Sequence, residues 1–401
     1  MRFFLGLLIT IVFFSSTTHL KAGVPGSGGN LQVVGEARNK LIPIALMGYS
    51  GEVASVLKFD LEVMGCKIVP EAEASFTLKG AAEGAVKGEL RDKAGNFGFN
   101  RKYTGFGLRD QAHGLSNDVI EKLTGKPGVA QTRVLFKMKT GKRSEEVFLS
   151  DFDGHKPLAL TNDKTLVGSP KWSPDNSEVY YTLWLKRGGI ENTTVLRQNM
   201  KTGARDVMAR YRGLNTGGVL SPQGFLAMIL SKGGSPDVYV APSNWEFMKN
   251  LKGEGLNRIT ATKEEESGIS WSPNGQWLCF ATRAQGKRML VKVAAQGGNM
   301  IRVPTNGVLN PSEPSWSPDG KWIAFTSQMG GFNVCVVPSQ GGEAKVIASG
   351  EGPTWAPNSR NLIFTRRGVN KRGLAIVDVP TKQVKMLPAF AGSASQPAWG
   401  K

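Results

Sequence analysis

The hydrophobic positions in the later part of the chain keep a fixed distance from a recurring short motif. Its fullest copy is P-S-W-S-P-D-G-K-W-I-A-F-T, Pro314–Thr326. Seven residues beyond the motif's anchor stand Val179, Ala227, Leu278, Ile323 and Leu362; nine beyond it stand Tyr181, Ile229, Phe280, Phe325 and Phe364. Two positions apart on a strand is the same face. The column between them, Tyr180, Met228, Cys279, Ala324 and Ile363, is largely apolar too. A strand apolar on both faces must be covered on both, so each is predicted to lie between two other sheets.

The motif itself reads as a turn. Pro318 presets φ for the first corner, Asp319 can bond nearby backbone, and Gly320 suits the exit. The following Trp322–Thr326 is mostly β-branched or aromatic, as a strand requires. Further copies are S-P-K-W-S-P-D-N-S (Ser169–Ser177), I-S-W-S-P-N-G (Ile269–Gly275) and P-T-W-A-P-N-S (Pro353–Ser359). A degraded copy, Val219–Gly224, has Leu220 in the aromatic position, and Q-P-A-W-G ends the chain's last repeat at Gly400. The tryptophan anchors are therefore Trp172, Trp271, Trp316, Trp355 and Trp399. From Trp172 to Trp399 run five intervals averaging about 45 residues, the period of four-stranded propeller blades. The anchors are expected to be structural, with rings such as that of Trp316 packed between blades.

Upstream, Arg133–Lys139, Glu145–Asp151 and Lys156–Thr161 read as three strands lacking a first partner. The terminal Gln396–Gly400 reads as a first strand lacking its followers. Joining them closes a ring of six blades with no free sheet edge. Before them, helical stripes run through Gly51–Met64 (Val53, Val56, Leu57, Leu61, Met64) and Leu108–Leu123 (Leu108, Ala112, Leu115, Val119, Ile120, Leu123), with Gly65 and Gly125 as stops. Strands are expected at Leu31–Val34, Leu41–Leu46, Cys66–Pro70, Ala74–Lys79, Ala85–Asp92 and Asn96–Thr104. The expected organisation is a signal peptide over 1–22, a small α/β domain over 23–132 and a six-bladed β-propeller over 133–401.

The leader reading rests on Arg2, an apolar run from Phe3 to Phe14 too short to span a bilayer, and L-K-A before Gly23. No segment of the mature chain is expected to cross a membrane. The net charge of +18 is uneven. Residues 23–132 hold 13 Lys/Arg against 12 Asp/Glu, whereas residues 133–401 hold 35 against 20. A basic propeller favours acidic partners. Three cysteines, Cys66, Cys279 and Cys335, make no disulfide framework; a Cys279–Cys335 bridge between neighbouring blades is the one pairing left open.

Chemistry is harder to find. Of three histidines, His19 falls in the leader, His113 sits one position off its helix's apolar stripe and is expected to be solvated, and His155 follows a turn. There is no G-x-S-x-G elbow, H-E-x-x-H or phosphate-binding glycine loop. D-F-D-G at Asp151–Gly154 opens like a calcium loop but lacks the later ligands, so a hairpin turn is expected. The acidic run Glu264–Glu266 is expected to be solvated. No catalytic, cofactor-binding or metal residues are assigned.

These features together resemble the TolB family, periplasmic components of the Tol–Pal envelope system. W-S-P-D-G alone is also carried by propellers of prolyl-oligopeptidase-type peptidases, which need a hydrolase domain that finds no room here. More specific are V-I-E-K-L-T-G-K-P-G-V-A-Q-T-R-V-L-F (Val119–Phe136), similar to that family's junction between last helix and first propeller strand, and F-D-L-E-V-M-G-C (Phe59–Cys66), similar to its first helix end. D-F-D-G and the terminal Q-P-A-W fit as well. Departures are the glycine-rich start Gly23–Gly29, a short region between Val69 and Ala85, and the lost aromatic at Leu220. The resemblance implies a non-enzymatic periplasmic scaffold that needs no cofactor. Its propeller would bind the peptidoglycan-associated lipoprotein Pal and its N-terminal segment TolA, in support of outer-membrane integrity and cell division. A monomer with no nucleic-acid partner is expected. Two other readings stand beside it: a propeller enzyme or carbohydrate-binding protein using the repeated Asp/Asn turns, and a polyanion binder using the propeller's charge.

Overall fold

A computed structural model describes residues 39–187 and 190–401. The expected leader, the glycine-rich start and the strand at Leu31–Val34 lie outside the described residues. The chain first builds β1 (Ile42–Met47), α1 (Gly51–Val63), β2 (Cys66–Ile68), β3 (Phe76–Ala82), β4 (Val86–Asp92), β5 (Phe97–Tyr103) and α2 (Leu108–Thr124). The strands pair in the order β2-β1-β3-β4-β5, parallel around β1 and antiparallel from β3 onward. Both helix stops behave as glycine stops should: Gly65 and Gly125 take φ of 95° and 72°, open to a residue without Cβ.

The propeller opens with β6 (Arg133–Gly141), β7 (Ser144–Asp151) and β8 (Leu158–Ala159). The closing strand Ala394–Trp399 adds to β6 as the inner edge of this sheet. Five further four-stranded sheets complete a six-bladed ring. Their inner strands are Val167–Trp172, Asn215–Leu220, Ser267–Trp271, Pro311–Trp316 and Glu351–Trp355. Every member of the three hydrophobic columns is buried, because successive blades stack face to face and cover both sides of each second strand. Cys279 and Cys335 lie in one such inter-blade core, and all three cysteines are free thiols.

The motif folds as a two-bond turn. The Gly320 N–H donates to the Ser317 carbonyl, and Asp319 Oδ1 accepts the Lys321 N–H. The serine contributes as well: Ser317 Oγ accepts the Trp322 N–H at 2.9 Å and donates to Asp319. Ser173 and Ser272 repeat that arrangement with Glu178 and Trp277.

The α/β region and the ring share one hydrophobic core, which runs from Leu57, Leu61 and Val119 to Phe136, Ile376 and Trp399. Polar contacts pin α1 and the start of β2 to the last complete blade: Asn361 Nδ2 donates to the Val63 carbonyl at 2.8 Å, Gln383 Nε2 to the Glu62 carbonyl and, at 3.0 Å, to the Cys66 carbonyl, and Lys385 pairs with Glu62. Among the described residues no helix is long and apolar enough to cross a membrane.

Candidate functional site

The six inner strands surround an axis. Two cavities open along it, and both are lined by Lys171, Val219, Ile269, Pro314 and Thr354, so they are the two ends of one channel. One mouth, about 310 Å³, is walled by the motif turns and touches all five anchors, Trp172, Trp271, Trp316, Trp355 and Trp399. Trp271 Nε1 donates to the Val219 carbonyl of the preceding blade at 3.0 Å, and Trp355 Nε1 to the Ser315 carbonyl at 3.1 Å. Trp399 Nε1 donates to Thr132 Oγ1, tying the closing strand to the junction. Trp316 packs against the core between two blades as expected, but less deeply. Its ring is only half-buried, because Nε1 turns back to its own turn at the Gly320 carbonyl. Trp172, also half-buried, has an indole N–H that packs against Gly400 and finds no acceptor.

The opposite mouth, about 290 Å³, is built from strained backbone. Three residues before each anchor the inner strand breaks register, and the residue there has positive φ: Ser169 52°, Gly217 76°, Gly268 62°, Glu313 51°, Gly352 63° and Gln396 52°. Each is a β-bulge, a device that redirects side chains near functional openings. Two of the non-glycine members reach the next bulge. Gln396 Oε1 accepts the Ser169 N–H at 2.8 Å, and Glu313 Oε2 accepts the Gly352 N–H at 3.0 Å. Sequence reasoning missed this ring, although the glycines at a constant offset from three anchors were its visible sign.

A second polar centre lies where α1, α2 and the D-F-D-G turn meet. His113 is buried, not solvated as expected. Its Nδ1 is 2.8 Å from Asp60 Oδ2 and its Nε2 is 3.9 Å from Asp153 Oδ2, while its ring edges onto Phe152. The helical stripe misled because the blade turn supplies a polar ceiling over that flank. Arg109 pairs with Asp153 and, at 3.2 Å, with Glu52. Burial works against a charged His113, but the hydrogen bond and charge of Asp60, helped by Asp153, outweigh it and raise its pKa. Burial likewise raises the pKa of Asp60, against the pull of His113. Both shifts favour keeping a proton within the pair.

The D-F-D-G segment is a turn, with the Gly154 N–H donating to the Asp151 carbonyl. The acidic run divides: Glu264 and Glu265 are exposed, but Glu266 is buried, contrary to expectation. It accepts the Val238 N–H at 3.0 Å and the Thr260 hydroxyl, and burial pushes its pKa up to about 7. Burial also pushes all three thiols up to about 12, which leaves them inert near neutrality. Among the described residues no cluster of three or more His, Cys, Asp or Glu could hold a metal ion.

Residues 120–401 match the family model of the TolB beta propeller domain. A Tol-Pal system protein TolB of Marinomonas sp. (strain MWYL1) is 34% identical over 111 residues, covering 27% of this chain and 25% of that protein. Its namesake from Nitrosomonas europaea is 29% identical over 221 residues, 47% of this chain and 51% of that protein. The chain thus spans between a quarter and a half of the curated relatives it matches. The crystal structure of TolB from Acinetobacter baumannii superposes with a TM-score of 0.77 at 18% identity, covering 95% of this chain and 99% of that one; it shares the fold.

Proposed function

The chain belongs to the TolB beta propeller family, and on that premise we propose that it is a periplasmic scaffold of the Tol–Pal system. It binds a Pal-like outer-membrane lipoprotein through the propeller and a TolA-like inner-membrane protein through its N-terminal segment, in support of envelope integrity and division. It acts by binding rather than by chemistry. The observation that carries this reading is the bulge-lined mouth. Three non-glycine residues are held there at positive φ, a conformation that costs of order 1–3 kcal/mol each and that folds tend to keep where a ligand is clamped. The propeller's 35 basic against 20 acidic residues steer acidic partners toward it, more strongly at low salt.

Salt dependence is shared with non-specific DNA binding, so the test compares partners. At about 0.15 M ionic strength, the purified mature protein is expected to bind a Pal-like lipoprotein domain saturably and near one to one, measured by calorimetry, while duplex DNA no longer binds. Tight DNA binding with no lipoprotein binding overturns the scaffold reading.

A further inference from the structure

We propose that the axial channel captures a peptide's C-terminal carboxylate at Lys171, entering by the tryptophan-lined mouth. The position immediately before each anchor forms a ring of Lys171, Val219, Ser270, Ser315, Thr354 and Ala398, all facing this cavity. Five members are small or apolar. Lys171 is the sole charge in the ring.

That charge lacks a partner. Among the described residues no carboxylate comes within ion-pair distance of Lys171 and no hydrogen bond satisfies its ammonium; Glu313 acts on it only from further off. Channel solvent keeps the residue half-exposed, yet the surrounding protein disfavours its charged form and lowers its pKa. An enclosed cation without a counter-charge is costly to the fold unless something occupies the site.

Its neighbours supply the remaining donors. Ser270 Oγ accepts the Trp316 N–H at 2.8 Å and Ser315 Oγ accepts the Trp355 N–H at 3.4 Å. Each hydroxyl therefore still has its own proton to donate toward the axis. Thr354 does not, since it already donates to the Pro397 carbonyl. One ammonium and two hydroxyls make a donor set for a carboxylate, and charge-assisted bonds of this kind are the stronger sort.

The two mouths differ in charge, and that sets the direction of entry. The bulge mouth carries Glu313, whose carboxylate repels an anion, and the buried Glu266 beside it. Among the described residues the tryptophan mouth is lined by no Asp or Glu and includes a second lysine, Lys401, while Trp271, Trp316 and Trp355 offer flat apolar walls. Its volume of about 310 Å³ is that of about ten water molecules, room for one apolar residue ending in a carboxylate. A chain end reaches the axial floor without having to leave again, which a loop cannot do. This site is independent of which protein the bulge mouth binds.

The test uses N-acetyl-leucine as the chain-end probe, N-acetyl-leucinamide as its uncharged match and acetate as the bare anion, with intrinsic tryptophan fluorescence and calorimetry as readouts. N-acetyl-leucine is expected to bind saturably and to change the emission, with the amide and acetate each at least tenfold weaker. Lys171→Met should abolish the preference for the acid over the amide while melting no lower than the parent, since an unpaired cation is replaced by an apolar chain of similar length. Lys171→Gln serves as the second variant should the first fail to fold. Equal affinity for acid and amide, acetate as tight as N-acetyl-leucine, no binding of N-acetyl-leucine up to about ten millimolar, or an undiminished preference in the folded variant would each overturn the proposal.

Discussion

His113 and Asp60 form a buried polar pair where the α/β region meets the D-F-D-G turn of the ring's first sheet. The charged groups around His113 are Asp60 from α1, Arg109 one turn back on α2, and Asp151 and Asp153 from the blade turn. His113 titrates above its ordinary 6.5 in the fold. Its stabilisation is therefore complete below about pH 6.5 and is lost as pH rises through the folded value. Asp60 is raised from 3.8 by burial and has the same sign, because the fold favours its protonated carboxyl and holding that proton grows costlier as the unfolded chain releases its own with rising pH. The melting temperature is expected to fall as pH rises from about 6.5 toward 9, more steeply than in an Asp60→Asn/His113→Gln variant. A thermal-melt series over that range checks it, and a melting temperature that climbs with pH would contradict the shared-proton reading. None of this was legible from the helix alone. The stripe Ala112, Leu115, Val119 and Ile120 identified α2 correctly, but its periodicity says nothing of a blade turn arriving over the flank that carries His113.

Among the elements, the inner strands separate what their anchors do. Trp355 is 5% exposed and bonds across to the preceding blade, so Trp355→Ala should cost about 3–5 kcal/mol. Trp316 is half-buried and bonds within its own turn, so Trp316→Ala should cost about 2 kcal/mol. Denaturant unfolding of the two variants gives the order directly, and equal losses would mean that the cross-blade bond adds nothing. The second strands were readable because burial on both faces leaves an unbroken apolar run, as at Leu362, Ile363 and Phe364. The bulges were not, since a single residue at positive φ leaves a sequence trace only where it is glycine, as at Gly217, Gly268 and Gly352 but not at Ser169, Glu313 or Gln396. The same limit hid Lys171: it reads as one more charge until its column is found to line an axis.

At the scale of the whole molecule, stability rests on closing the ring. The repeat predicted this from a first strand without followers at one end and three followers without a first strand at the other. The docking of α1 on the last complete blade, through Asn361, Gln383 and Lys385, left no such trace, because it joins residues far apart in sequence through single polar contacts. Both features converge on Trp399, which lies in the core shared by the α/β region and the ring and donates to Thr132. Deleting residues 394–401 should expose the inner edge of β6 and one face of each neighbouring blade, an edge prone to pair with other chains. The decisive measurement is thermal unfolding of that truncated protein beside the parent, read by circular dichroism and light scattering. A closed six-bladed scaffold predicts a melting temperature lower by ten degrees or more, about 2–4 °C being lost per kcal/mol, with aggregation on heating and no remaining affinity for the lipoprotein domain. An unchanged melting temperature with binding intact would contradict it.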